Sequence, residues 1–157
     1  MLSLILVLAI QKSTPADLDF WVGDWDCVVS SLNPKSASGW DESKAVEHVT
    51  KEYDGRVIHE SFESEGYRGM SVNTLDARRG TWRQTWVDQT GRFVTCEGGL
   101  VGSKFVFTTL PEKKLPVTKL IFDEMGKDRL TWHVERKNPK SGNFETVIKM
   151  VYTRKDK

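Results

Sequence analysis

Glu60, Asn73 and Gln84 are the residues best placed to do chemistry in this chain. Each sits in a run that alternates as a strand does, so each run splits into two faces. In Thr81–Asp88, Trp82, Gln84 and Trp86 share one face, and Arg83, Thr85 and Val87 share the other. In the preceding run Gly69, Ser71 and Asn73 lie together, and before that Ile58, Glu60 and Phe62. With the Trp-rich rows turned inward, Glu60, Asn73 and Gln84 fall on adjacent strands near one level. A carboxyl and two amides set among indoles present donors and acceptors in an apolar wall, the usual make-up of a small-molecule site. A carboxyl there has a raised pKa and is a candidate acid or base, which makes Glu60 the one weak catalytic candidate. The same residues can instead satisfy one another as a register-holding network, since an unpaired buried polar group costs about 1–3 kcal/mol. The residues alone leave both readings open.

These rows need strands to carry them. Turn signals recur at Asn33-Pro34, Asp54-Gly55, Glu65-Gly66, Asp76 to Gly80, Asp88 to Gly91, Gly102-Ser103, Met125-Gly126 and Asn138 to Gly142. The runs between them are β-branched and aromatic. Strands are expected near 24–31, 44–53, 56–63, 68–75, 81–87, 92–101, 104–109, 117–123, 129–136 and 144–153. That makes about ten antiparallel strands joined mostly by hairpins, enough to close an up-and-down barrel around one small ligand. Asp54-Gly55 suits a two-residue hairpin turn. Thr14-Pro15-Ala16-Asp17 has the grammar of a short helix start, placed to plug one end. In the ninth strand Leu130, Trp132 and Val134 form the apolar row, against Thr131, His133 and Glu135. The expected ligand wall is Ile58, Glu60, Phe62, Ser71, Asn73, Gln84, Trp86 and Trp132.

Other chemistries lack their residues. No nucleophile elbow is present. His48, His59 and His133 are scattered without metal-ligand spacing, so no metal or cofactor is expected. By alternation His59 and His133 face solvent, as do Arg68 and Arg83. Cys27 and Cys96 have no redox or metal spacing and read as two isolated buried thiols. The net charge is +1 with no internal basic run, which gives no footprint for nucleic acid. With 38% hydrophobic residues and both signs of charge mixed, the chain is no candidate for disorder. Its 157 residues fit one domain, 14–157. Six Trp and seven Phe are many for this length; aromatics at strand spacing build a core, and a surplus also suits an apolar cavity wall.

Met1 to Ile10 is nearly all apolar but too short to span a bilayer. It reads as the hydrophobic part of a signal peptide truncated at its start, with Val7-Leu8-Ala9 as the cleavage region, or else as a disordered arm covering 1–13. The first reading places the protein outside the cytoplasm, secreted or periplasmic; the second leaves it cytoplasmic.

Phe20-Trp21-Val22-Gly23-Asp24-Trp25 opens the first strand, and Tyr152-Thr153-Arg154 closes the last. This Gly-x-Trp…Arg pairing resembles the calycins, meaning lipocalins and fatty-acid-binding proteins. The resemblance implies a closed barrel in which Arg154 lies over the Trp25 indole, a contact worth roughly 0.5–2 kcal/mol. Between the two ends come Tyr67-Arg68-Gly69-Met70-Ser71-Val72-Asn73, Trp82-Arg83-Gln84-Thr85-Trp86-Val87-Asp88, Gly91, Glu97-Gly98 and Trp132. This order resembles the domain-of-unknown-function family 1579, a calycin-like group, from about Leu18 to Lys155. The likeness implies a fold and no particular activity. One departure is Leu75 before Asp76, where that family commonly has Tyr. Fatty-acid-binding proteins insert a helical hairpin lid after the first strand. Here Leu32 to Ser43 is too short and turn-rich for two helices, so the mouth should be more open.

The leading expectation is a barrel that binds an apolar or amphipathic small molecule and is not an enzyme. The alternatives are an isomerase- or hydrolase-type barrel using Glu60, and a structural module with a filled core.

Overall fold

A computed structural model describes residues 12–113 and 115–155. The strands are β1 (Gly23–Leu32), β2 (Trp40–Glu52), β3 (Val57–Ser64), β4 (Tyr67–Asp76), β5 (Thr81–Asp88), β6 (Phe93–Val101), β7 (Lys104–Thr109), β8 (Thr118–Met125), β9 (Arg129–Lys137) and β10 (Phe144–Arg154). Each pairs antiparallel with its neighbours in sequence, and β1 pairs with β10 to close the barrel. The protein is an all-β up-and-down barrel. The expected strands all form, within a few residues at each end. The largest difference is β2, which starts at Trp40 because the turn at Asn33–Gly39 is tighter than the Pro and Ser content suggested. Asn33 N–H donates to Gly39 O at 2.9 Å and closes it. No segment is left for a helical lid.

The β2–β3 connection corrects an expectation. Asp54-Gly55 does not make a two-residue turn; the loop is Tyr53 to Arg56. Tyr53, Asp54 and Gly55 all take positive φ, at 49°, 55° and 76°. Gly55 N–H returns to Glu52 O at 3.0 Å. Three left-handed residues in a row turn the chain more widely than one dipeptide.

Closure is made at the seam. Trp25 and Arg154 are register partners, and the guanidinium lies 4.0 Å from the Trp25 ring centroid. Its Nη1 also donates to Val22 O at 3.0 Å and its Nε to Lys127 O at 2.6 Å. One side chain thus ties the first strand, the β8–β9 turn and the last strand. Gly23 allows this, because a Cβ there would run into Arg154 Nη1.

One end of the barrel is plugged. Thr14 N–H and hydroxyl both donate to the Asp17 carboxylate, at 3.0 and 2.6 Å, and start a helical turn. A 3₁₀ turn at Asp19–Trp21 follows and drops Leu18 and Trp21 into the core, 0% and 2% exposed. Trp25 Nε1 donates to Trp21 O at 2.8 Å, which locks the plug to β1. Ser13 is already buried and bonded to Gly80 O. Of the expected signal segment or disordered arm, 1–13, residues 1–11 lie outside those described, while Ser13 packs on the barrel and corrects the C-terminal bound of the arm. No helix among the described residues is long and apolar enough to cross a membrane.

Candidate functional site

The inner rows run from a sealed end to an open one. At the plug, Trp25, Trp82, Phe105, Leu130 and Tyr152 are essentially without solvent exposure. At the other end Val29, Tyr67, Trp86, Val94 and Leu120 belong to the same inward rows yet are only half-buried. Interstrand connections border that end, from the two residues Glu65 and Gly66 to the seven of Asn33–Gly39.

Between the two lies a polar chain. Gln84 Nε2 donates to Asn73 Oδ1 at 2.9 Å. Asn73 Nδ2 donates to Ser71 Oγ at 2.9 Å and to Ile58 O at 3.2 Å. Ser71 Oγ donates to Glu60 Oε2. The register explains the contacts: Asn73 faces Gln84 on β5 and Ile58 on β3, and Ser71 faces Glu60. The expected network of Glu60, Asn73 and Gln84 therefore forms, with Ser71 as its link. All four are buried.

Alternation also places Glu47 of β2 in this interior, where it is 2% exposed. It accepts from Trp21 Nε1 at 2.6 Å and neighbours Glu60 and Tyr152. The motif search passed over it because it lies in a charged stretch, Asp41 to His48. Its signal was the parity Ala45, Glu47, Val49, which puts it between two apolar residues on one face. Burial lifts the Glu47 carboxyl well above the ordinary range, and the neighbouring Glu60 charge adds to this. Burial pushes Glu60 up to about 7, opposed by hydrogen bonds from Ser71 and Glu47. Burial also raises Tyr152 well above its usual value, with Glu47 next in effect. Glu47 Oε2, Gln84 Oε1 and Trp82 Nε1 are buried without a partner. A proton on Glu47 Oε2 turns that atom into a donor toward Glu60, so one shared proton satisfies both acids.

The rest of the Trp-x-Gln-x-Trp-Val-Asp row builds the mouth. Trp86 lies over Gly69, where any Cβ would enter the indole. Phe62 packs edge-on against Trp86 and Tyr67, with centroids 6.4 and 6.0 Å away. Asp88 accepts from Tyr67 OH at 2.8 Å, Trp86 Nε1 at 3.3 Å and Thr90 Oγ1 at 2.5 Å. These bonds, Thr90's first, hold its carboxyl far below the usual range. Tyr67 rises to about 12 through burial and the Asp88 bond.

Of the expected wall, Ile58, Glu60, Phe62, Ser71, Asn73, Gln84 and Trp86 come together on β3, β4 and β5. Trp132 does not join them. It stands on β9 across the barrel, in register with Phe122 and Met150. His133 faces outward as expected but is held between Asp123 at 2.5 Å and Glu135 at 3.5 Å. Cys27 and Cys96 are free and buried, and burial pushes the Cys96 thiol up to about 12. Among the described residues no cluster of His, Cys, Asp and Glu could hold a metal. Two concavities, of about 560 and 320 Å³, lie against the outer wall around Lys149, away from the polar chain.

No family model matches the chain, and no curated protein matches it in sequence. Solved structures do match in fold. One is an S-type phycobiliprotein lyase, CpeS, from Guillardia theta, at 14% identity and TM-score 0.60, covering 89% of this chain and 91% of that one. Another is Rv2717c from M. tuberculosis, at 10% identity and TM-score 0.62, covering 93% and 100%. At these identities the likeness is one of fold: both superpose along nearly the whole barrel.

Proposed function

We propose that the protein binds an apolar or amphipathic small molecule through the open end of the barrel. The observation that carries this is the half-burial of inward-facing apolar residues at the end away from the plug, beside the buried polar chain. Val29, Tyr67, Trp86, Val94 and Leu120 are aimed at the barrel axis yet keep contact with solvent. A core built only for stability gains by covering such residues, at about 25 cal/mol per Å² of apolar surface. Here they rim a mouth above a polar floor, the pattern of a ligand site. The fold neighbour described as a phycobiliprotein lyase supports a barrel that handles a small molecule. The order of motifs from Tyr67 to Asp88 supports a relationship to the calycin-like family 1579.

A filled structural barrel has one observation in its favour, since the two concavities lie outside the wall. Titrating the protein with a fluorescent fatty-alcohol or fatty-acid analogue separates the readings. Saturable binding that Trp86→Ala weakens supports the site; no binding of any apolar probe leaves the structural reading.

A further inference from the structure

The barrel interior holds two acids and no base. Among the described residues the buried polar side chains are Ser13, Glu47, Glu60, Ser71, Asn73 and Gln84. The cations considered for a carboxylate ligand are outside: Arg83 lies near Glu97, and Arg68 near Glu63. Inside, every donor of the polar chain points the same way, from Gln84 through Asn73 and Ser71 to Glu60. The chain thus ends on a carboxylate. At its other end Gln84 spends its amide N–H₂ on Asn73 and leaves Oε1 as a buried acceptor without a donor. With the proton of the pair on Glu47, ionisation of Glu60 leaves a negative charge inside the barrel. A buried charge is stable only when it is paired.

We infer that the ligand is an amphipathic amine, whose ammonium head pairs with Glu60, the acceptor end of the polar chain, while its apolar body lies between Phe62, Tyr67 and Trp86. This rests on the ligand-binding reading above and names the head group. An ammonium carries three donors and no acceptor, which suits a chain whose donors all run toward one carboxylate. The aromatic faces on the way in attract a cation as well. A carboxylate head would instead meet Glu60 in a region poor in water, where like charges repel strongly.

The test uses three probes of equal chain length, dodecylamine, dodecanol and dodecanoate, each below its aggregation threshold. Binding is followed by tryptophan fluorescence at a pH slightly above neutrality. The amine should bind at least about tenfold more tightly than dodecanoate, with the alcohol between. Glu60→Gln should bring the amine down to the level of the alcohol. Should that variant not fold, the pH dependence of the wild type answers the same question. The amine's advantage over the alcohol should shrink toward pH ~5, where Glu60 takes up its proton beside Glu47, Tyr152 and Cys27. Dodecanoate binding as well as the amine, or an amine preference unmoved by both Glu60→Gln and acid, overturns the inference and leaves the ligand-binding reading standing. Failure of all three probes to bind overturns both.

Discussion

The two ends of this barrel are made from the same strands with the same alternation, and they end up opposite in character. At the plugged end Trp25, Trp82 and Tyr152 are sealed by Leu18 and Trp21. At the other end Trp86, Tyr67 and Val94 occupy the same inner rows and stay partly wet. What differs is the cover. Eight residues, Thr14 to Trp21, fold over one end as a helical and a 3₁₀ turn. The β3–β4 connection at the other end is the two residues Glu65 and Gly66. An inward aromatic therefore stabilises the fold or lines a site according to what closes over it. Strand pattern alone does not decide which.

That contrast can be broken most forcefully at the plugged end. Trp25→Ala should cost about 3–5 kcal/mol in denaturant unfolding, as a large-to-small core change that also removes the Arg154 stack. A loss below ~1 kcal/mol would mean the seam does not hold the barrel. At the boundary between the two regimes, Gln84→Leu should cost about 1–3 kcal/mol, because Asn73 Oδ1 loses its donor. If ligand affinity falls much further than stability does, the polar chain serves the ligand; if only stability falls, it serves the register.

Acidity sharpens the comparison from another side. The folded-state pKa of Glu60 is raised to about 7. Its stabilising contribution is complete below the unfolded value near 4.5 and is lost as pH rises through about 7. The slope is at most about 1.4 kcal/mol per pH unit for one proton. Melting temperature should decline over that window, and Glu60→Gln should flatten the decline. Asp88, at the mouth, has the opposite sign: its lowered pKa makes stability fall as pH drops below the usual carboxylate range. At the open end, Trp86→Leu should cost only about 1 kcal/mol in stability yet reduce ligand affinity by about tenfold. A stability loss as large as that of Trp25→Ala would erase the distinction between the ends.

The fold was almost fully legible because closure leaves two marks far apart, Gly23-x-Trp25 and Arg154, and because each strand is bounded by Gly, Pro or Asx turns. The β2–β3 loop was not legible, since left-handed Tyr53 and Asp54 have no strong residue signature. The site was half legible. Gln84, Asn73 and Glu60 stand out as polar residues on apolar rows. Glu47 hides among surface charges, and Asp88 reads as an ordinary turn residue until Tyr67 and Trp86 are seen donating to it. Trp132 shares the inward parity of its row, but parity says nothing of which wall a strand occupies.

Arg154 donating to Val22, 132 positions earlier, has a consequence for how the chain folds. Nine of the ten strand pairings join sequence neighbours and can zip locally. The last pairing must wait for β10, which is synthesised after the other nine strands of the barrel. Until then β1 and β9 are both open edges, able to accept a strand from another molecule. Long-range pairing is also the slow step in β topologies, because the loop-closure cost precedes the contacts that offset it. A chain stopped before residue 154 should therefore aggregate rather than merely melt at a lower temperature, so Arg154 acts as a completion signal for the whole barrel.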